Sequence, residues 1–249
     1  MKQPANNAVG SYFDTIAADY AKRYDTSRPY HHYLFHERLK IATQTIGFQG
    51  NSIFDIGAGT GGLYDLIAAK TNHFDYFATD ISPEMLAQSN IPPSNYSVGT
   101  WAEVSIPKQT FDYIFILGVS TYLTPDELDK TLQIAAKMLA QNGQLIVSYT
   151  NPRSLDWSVR KRIRTIWRGR GVIGQNFETY AHDPHKIRLA NTLQTARTVW
   201  YNATLTPFNT LFPRPSIWLA KRIDKWPTNR WKPILCGDIV CTYVKKDCP

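Results

Sequence analysis

The sequence predicts an α/β fold built on one mostly parallel sheet of seven strands with helices on both faces, and three observations predict it. Short apolar runs alternate with helical patterns between residues 52 and 149, the rhythm of a parallel sheet covered on both sides. A glycine cluster, Gly57, Gly59, Gly61 and Gly62, stands between the first apolar run and the first helical pattern, where such sheets receive ligands. The length of 249 residues, 43% apolar and 19% charged, is enough for one substantial core but short for two ordinary domains.

The elements follow in order. Phe13, Ile16, Ala17 and Tyr20 recur at helical spacing, with Asp14 near the start, and a second helix is expected over 33–45 until Gly47 and Gly50 stop it. Strands are then expected at 52–56, 75–79, 96–99 (weak), 111–117 and 144–149, with helices at 61–69, 83–89 and 125–140 between them. After Thr150 the rhythm is irregular: a basic helix at 155–168, a helix at 184–195, a strand at 198–205, a Trp/Lys/Arg-rich helix at 217–226 and a closing strand at 239–245. The segment between the fifth and sixth strands reads as a helical insertion on the rim of the sheet, where α/β enzymes commonly acquire specificity.

The loop Ile53-Phe54-Asp55-Ile56-Gly57-Ala58-Gly59-Thr60-Gly61-Gly62 carries the strongest chemical signal. Glycine suits it because the backbone must turn sharply and let a ligand approach without interference from a Cβ. Asp80 ends the second strand 18 positions after Gly62, where a carboxylate can accept hydrogen bonds from both hydroxyls of an adenosine ribose. The loop also satisfies the dinucleotide template at Gly57, Gly59 and Gly62, so NAD is an alternative ligand. Asp55 favours a ligand with a cationic amino-acid tail, since a carboxylate there would repel a pyrophosphate.

Phe54 to Gly61 and Ala78-Thr79-Asp80-Ile81-Ser82-Pro83-Glu84-Met85-Leu86 resemble the first two motifs of class I, Rossmann-like S-adenosylmethionine-dependent methyltransferases. Phe111-Asp112-Tyr113-Ile114-Phe115 resembles that family's fourth-strand motif, and Phe13-Asp14-Thr15-Ile16-Ala17-Ala18-Asp19-Tyr20 its opening segment. The likeness covers residues 11–152 and a closing strand. It implies one methyltransferase domain over 1–249, with cap helices in 1–48, a cofactor-binding core in 49–152 and a basic substrate or interface region in 153–249. It further implies that Tyr20, Asp55, Gly57, Ala58, Gly59 and Gly61 line the methionine and ribose, that Asp80 holds the ribose, and that Ile81 and Met85 flank the adenine. Leu117 and Gly118 would face the sulfonium. Relatives often place an acidic residue after the third strand, whereas this chain reads Gly99-Thr100-Trp101-Ala102-Glu103; Trp101 either stacks on adenine beside Ala102 or belongs to the core.

A sulfonium methyl is already activated, so alignment of the acceptor and exclusion of water are the main tasks, and a base is optional. For a hydroxyl acceptor the candidate bases are His31, His32, His182, Tyr122 and Tyr149. His32 and His36 lie four apart beside Glu37 but lack a remote third ligand, so no metal site is expected. Cys236, Cys241 and Cys248 have neither disulfide nor zinc spacing and read as idle thiols.

Charge divides sharply at Thr150: 10 Lys+Arg against 14 Asp+Glu before it and 18 against 6 after it, a net of −4 followed by +12. In 156–171, Arg160, Lys161, Arg162, Arg164, Arg168 and Arg170 share a helix with Val159, Ile163, Ile166 and Trp167. Ile217, Trp218, Ala220, Ile223 and Trp226 repeat the theme beside Lys221, Arg222 and Lys225. Such helices suit a membrane interface and a small-molecule, lipid-like or quinone-like acceptor. RNA is a second partner class and an acidic soluble substrate a third, while completion of the core or a dimer contact is the structural alternative. An NAD-dependent oxidoreductase and a non-catalytic binding module are the rival functions. No apolar run approaches the roughly 20 residues of a membrane span, and residues 1–9 lack a signal pattern, so a cytoplasmic protein, peripheral to a membrane at most, is expected.

Overall fold

A computed structural model describes residues 5–168, 177–227 and 230–246. Two helices open the chain, α1 (Ala5–Arg23) and α2 (Pro29–Thr43). An alternating series follows: β1 (Ser52–Ile56), α3 (Gly62–Ala68), β2 (Asp75–Asp80), α4 (Pro83–Ala87), β3 (Tyr96–Val98), β4 (Phe111–Ile116), α5 (Pro125–Met138) and β5 (Leu139–Thr150). The remainder comprises α6 (Leu155–Arg168), β6 (Leu193–Tyr201), α7 (Phe208–Leu211), α8 (Pro213–Asp224), α9 (Lys232–Leu235) and β7 (Asp238–Lys245).

Local chemistry explains the helix starts. Pro125 occupies the first turn of α5, and Thr124 and Glu127 cap it reciprocally, each satisfying an amide of the other. Ser82 accepts from the Met85 amide and starts α4 in the same manner, with Pro83 behind it.

The seven strands lie in the order β3-β2-β1-β4-β5-β7-β6. All pairs from β3 to β5 are parallel, and β7 runs antiparallel to both β5 and β6. Chain order reverses between β1 and β4, which opens a crevice at the carboxyl edge beside β1. Because β7 is reversed, its first residue, Asp238, lies on that same edge, opposite Thr150 of β5 and Tyr201 of β6.

The sheet separates two apolar layers. Phe54, Ile114, Leu145 and Tyr243 meet Leu128 and Leu132 of α5 and Ile223 of α8 on one face. Ile53, Ala78, Phe115 and Val240 meet Leu39 of α2 and Leu63 and Ile67 of α3 on the other. Each fully buried side chain of this size contributes about 1.5–3 kcal/mol.

Two expectations are corrected. Residues 184–192 form a loop with turns rather than a helix and 193–195 already belong to β6, with Lys186 N bonded to Asp183 O and Leu193 N to Ala190 O, and Ile187, Leu189 and Ala190 reach the core from the loop. The sixth strand runs Leu193–Tyr201 instead of 198–205, because Asn202 turns the chain with φ 62° and donates through Nδ2 to Asp238 Oδ2 at 2.6 Å. Among the described residues no helix is long and apolar enough to cross a membrane. Cys236 and Cys241 are buried free thiols, whereas Cys248 lies outside the described residues.

Candidate functional site

At the crevice, β1 passes into a loop in which Gly57, Gly59 and Gly61 have φ of 78°, 57° and 77°, the left-handed region that only glycine enters freely. The amides of Gly57 and Ala58 donate to Thr79 O of β2 at 2.7 and 3.1 Å, so the loop is fastened across the crevice. Asp80, at the end of β2, accepts from the Gly59 amide through Oδ2 at 2.8 Å and from the Ser82 amide through Oδ1 at 2.9 Å. A carboxylate has about four acceptor positions, so two remain for hydroxyls. Burial raises the pKa of Asp80 despite those hydrogen bonds.

Asp55 is 3% exposed beneath this loop and accepts from Tyr76 Oη at 2.6 Å. Burial pushes its carboxyl up to about 7. Its field reaches the loop, while direct contact with a ligand is limited by this burial. Met85 is only 1% exposed and is therefore core rather than a surface for adenine, which corrects that expectation. Ile81 stays half-exposed under Gly10 of α1, Trp101 packs against the core with part of its ring exposed, and Ala102 is exposed beside it.

The two opening helices close over the crevice. Ser82 Oγ donates to Asp14 Oδ1 at 2.6 Å, tying α1 to the loop after β2. A continuous series of ring contacts runs from Phe177 through Tyr12, Phe13, Tyr20 and Tyr24 to Phe35, and Tyr122 touches both Phe13 and Phe177. Tyr20 Oη accepts from Tyr24 Oη at 2.8 Å within this wall.

Arg38 of α2 was not singled out by sequence reasoning. Its guanidinium lies over Gly118 at the end of β4, so a Cβ there would come within 2.7 Å of Nη1, and Gly118 itself has φ 80°. Leu117 is half-buried beside it, and the Gly118 amide is held by Ser148 Oγ at 2.8 Å. Burial opposes the charge of Arg38, and Tyr201, Tyr24, Tyr20 and Asp238 around it outweigh that effect and raise its pKa. Its Nε is buried with no hydrogen-bond partner. A half-buried arginine with an orphaned Nε, beside an edge that also carries Asp55 and Asp80, has the chemistry to receive an anionic group.

The candidate bases are scattered. Tyr149 is the next-to-last residue of β5, at the carboxyl edge, but its side chain is 1% exposed and its hydroxyl is bonded to Tyr243 Oη at 3.0 Å in the core, which removes it as a base. His182 is buried with Nε2 donating to Ser120 O and Leu123 O at 2.9 and 3.1 Å, and burial lowers its pKa; it ties two loops together. His32 spends Nδ1 on Tyr24 O at 2.8 Å. His31 is exposed near the start of α2, and Tyr122 belongs to the aromatic wall.

The basic region is more integrated than its composition suggests. Arg160 of α6 turns inward, 2.8 Å from the buried Asp156, whose Oδ1 accepts from the Thr206 amide at 2.7 Å. Lys161 and Arg162 face solvent. The side chains of Arg164, Ile166, Trp167 and Arg168 and all of Arg170 lie outside the described residues. A cleft of about 1070 Å³ opens at the opposite, amino edge of the sheet, lined in part by Lys137, Arg188, Leu189 and Lys245, and shares nothing with the glycine loop.

Comparison with known proteins agrees with this geometry. Residues 54–145 match a family model described as a methyltransferase domain. A caffeic acid 3-O-methyltransferase of Capsicum chinense is 31% identical over 109 residues, 43% of this chain and 30% of that protein, so the match spans less than a third of the relative. A magnesium protoporphyrin IX methyltransferase from Synechocystis, solved with bound S-adenosylhomocysteine, superposes with TM-score 0.65 at 15% identity over 98% of this chain and 100% of that one. An N-methyltransferase from Bradyrhizobium japonicum, also with S-adenosylhomocysteine, superposes with TM-score 0.59 at 14% identity over 97% and 100% of the two chains.

Proposed function

We infer, from the premise that the chain belongs to the class I S-adenosylmethionine-dependent methyltransferases, that it transfers the cofactor's methyl group to a small-molecule or lipid-like acceptor, most simply at oxygen. The observation that carries the reading is the opposition of Arg38, with its orphaned Nε, to the buried carboxyl of Asp55 and the half-buried carboxyl of Asp80 across one glycine loop. An amino-acid tail is zwitterionic and matches that arrangement, whereas a pyrophosphate would meet the field of Asp55.

Bound S-adenosylmethionine supplies a methyl group already activated by its sulfonium. Arg38 is assigned to the tail carboxylate, the field of Asp55 to its ammonium, and Asp80 to the ribose hydroxyls through its two remaining acceptor positions. Ile81 and the exposed part of Trp101 flank the adenine. The aromatic wall excludes water from one side of the reacting centre and sets the approach of the acceptor. His31 and Tyr122 stand on the rim as the candidates to take a hydroxyl proton to solvent. The acceptor is assigned an approach from the α6–α9 side, where the charge of the chain turns positive and where Asp238 and Asn202 extend the edge.

Calorimetric titration with S-adenosylhomocysteine, with NADH in parallel, tests the cofactor assignment. Saturable binding of the first is expected, weakened about tenfold to a hundredfold by Asp80→Ala, the loss of one or two hydrogen bonds to a carboxylate. Binding of NADH alone would overturn it.

A further inference from the structure

Among the described residues, the strongly exposed large hydrophobic side chains are concentrated in one region: all but Val98 belong to the stretch from Leu155 to Ile234. Within it, α7, the turn after it and α8 hold the densest group. Phe208, Leu211, Phe212, Trp218, Leu219 and Trp226 are between 46% and 64% exposed, although side chains of this kind normally seek burial. Ala220 and Ile223 of α8 face the core and Ile217 packs against it, which leaves Trp218, Leu219 and Arg222 on the outward side. Ser216 Oγ donates to Phe208 O at 3.2 Å and holds α7 against the start of α8.

Charge surrounds this surface on one sign. Between residues 205 and 235 the exposed cations are Arg214, Lys221, Arg222, Lys225 and Arg230, whereas Lys232 is buried and donates to Asp224 O at 2.8 Å, and the one acid is Asp224. Asp224 points inward, accepting from Tyr33 Oη at 2.5 Å and from the Asn202 amide at 3.4 Å, so it does not neutralise the exterior. The guanidinium of Arg222 lies 4.2 Å from the Trp218 ring centroid and that of Arg230 lies 5.1 Å from Trp231, pairs in which ring and cation face solvent together.

We propose that the outward surface of α7 and α8 is an insertion surface for an anionic lipid bilayer, with Phe208, Leu211, Phe212 and Leu219 at acyl-chain depth and Trp218 with the surrounding Lys and Arg at the headgroups. Aliphatic Leu211 and Leu219 have no stacking face for a base, so hydrocarbon is a better match than RNA. The side-chain chemistry agrees with depth: Trp and cationic tips favour the headgroup layer, Phe and Leu the layer beneath. The inference deepens the reading of a lipid-like acceptor and rests on it: α8 is bonded through Asp224 to Tyr33 of α2, the helix that also carries Arg38, so the surface is tied directly to an element of the crevice.

Flotation of the full chain with vesicles of mixed phosphatidylcholine and phosphatidylglycerol tests it, with pure phosphatidylcholine vesicles, a single-stranded RNA and the triple variant Leu211→Ser/Phe212→Ser/Trp218→Ser alongside. Binding to the mixed vesicles is expected, weaker with added salt, at least about tenfold weaker for phosphatidylcholine alone and for the variant. Absence of binding at low salt, undiminished binding of the variant, preference for RNA, or a dimer that the variant dissolves would each overturn the proposal. Titration of the same variant with S-adenosylhomocysteine separates the two readings: intact cofactor binding without vesicle binding by the native chain sinks only the bilayer surface, and the converse sinks only the cofactor assignment.

Discussion

Arg38 keeps its charge through its surroundings: Tyr201, Tyr24, Tyr20 and Asp238 favour the guanidinium, while its Nε is left without a hydrogen-bond partner. Arg38→Met is therefore expected to lower the melting temperature of the free protein, since it takes a cation from Asp238, and to weaken S-adenosylhomocysteine about tenfold to a hundredfold, the loss of a charge-assisted hydrogen bond to carboxylate. A variant that melts lower and binds as well as before would show that the arginine supports only the fold. The glycine loop and Asp80 were legible from sequence because strand, loop and helix are contiguous there. Arg38 was not: it is one cation on a helix 80 positions before Gly118, and only packing brings the two together.

The element with the most direct control over the crevice is α1. Its attachment includes Asp14 to Ser82, Gly10 against Ile81, the buried Val9 and Ala17, and ring contacts along Tyr12, Phe13 and Tyr20. Asp14→Ala removes a bond to a charged acceptor without touching the glycine loop, and faster dissociation of S-adenosylhomocysteine by about threefold to thirtyfold is expected in stopped flow, with a smaller effect on association. An unchanged dissociation rate would mean that α1 does not gate the cofactor. Elements with strong periodicity and caps, such as α5 with Thr124 and Glu127, were legible with only small errors at their ends. Residues 184–195 were misread because Ile187, Leu189 and Ala190 bury their side chains from successive turns, and apolar spacing alone does not distinguish such a loop from a helix. The inward turn of Arg160 was not legible, because its partner Asp156 lies on the inward side of the same helix, which depends on what α6 packs against.

For the molecule as a whole, the carboxyl edge concentrates acids withdrawn from solvent, Asp55 buried and Asp80, Asp224 and Asp238 half-buried: desolvation raises the pKa of all four, to about 7 for Asp55. Such groups bind protons more tightly folded than unfolded, so their stabilising contribution is complete below the ordinary aspartate range and is lost as pH rises through the raised values. His36 and His182, lowered by burial, act in the opposite sense, but only up to about pH 6.5. The melting temperature of the free protein is therefore expected to fall between about pH 6.5 and pH 8, and Asp55→Asn to flatten that fall. A melting temperature that climbs across this window would contradict it. The same edge is also completed late. With β7 lying between β5 and β6, the strand that joins the two in space follows both in the chain, and β6 has no other partner in the sheet. On a ribosome, the β1 to β5 half can assemble while residues 193–201 wait as an unpaired edge, and Tyr201 and Asp238 meet only after residues 238–245 emerge. The chain would thus build its glycine crevice first and the β6–β7 side of the same edge last, so that an interrupted synthesis would yield the crevice without that side.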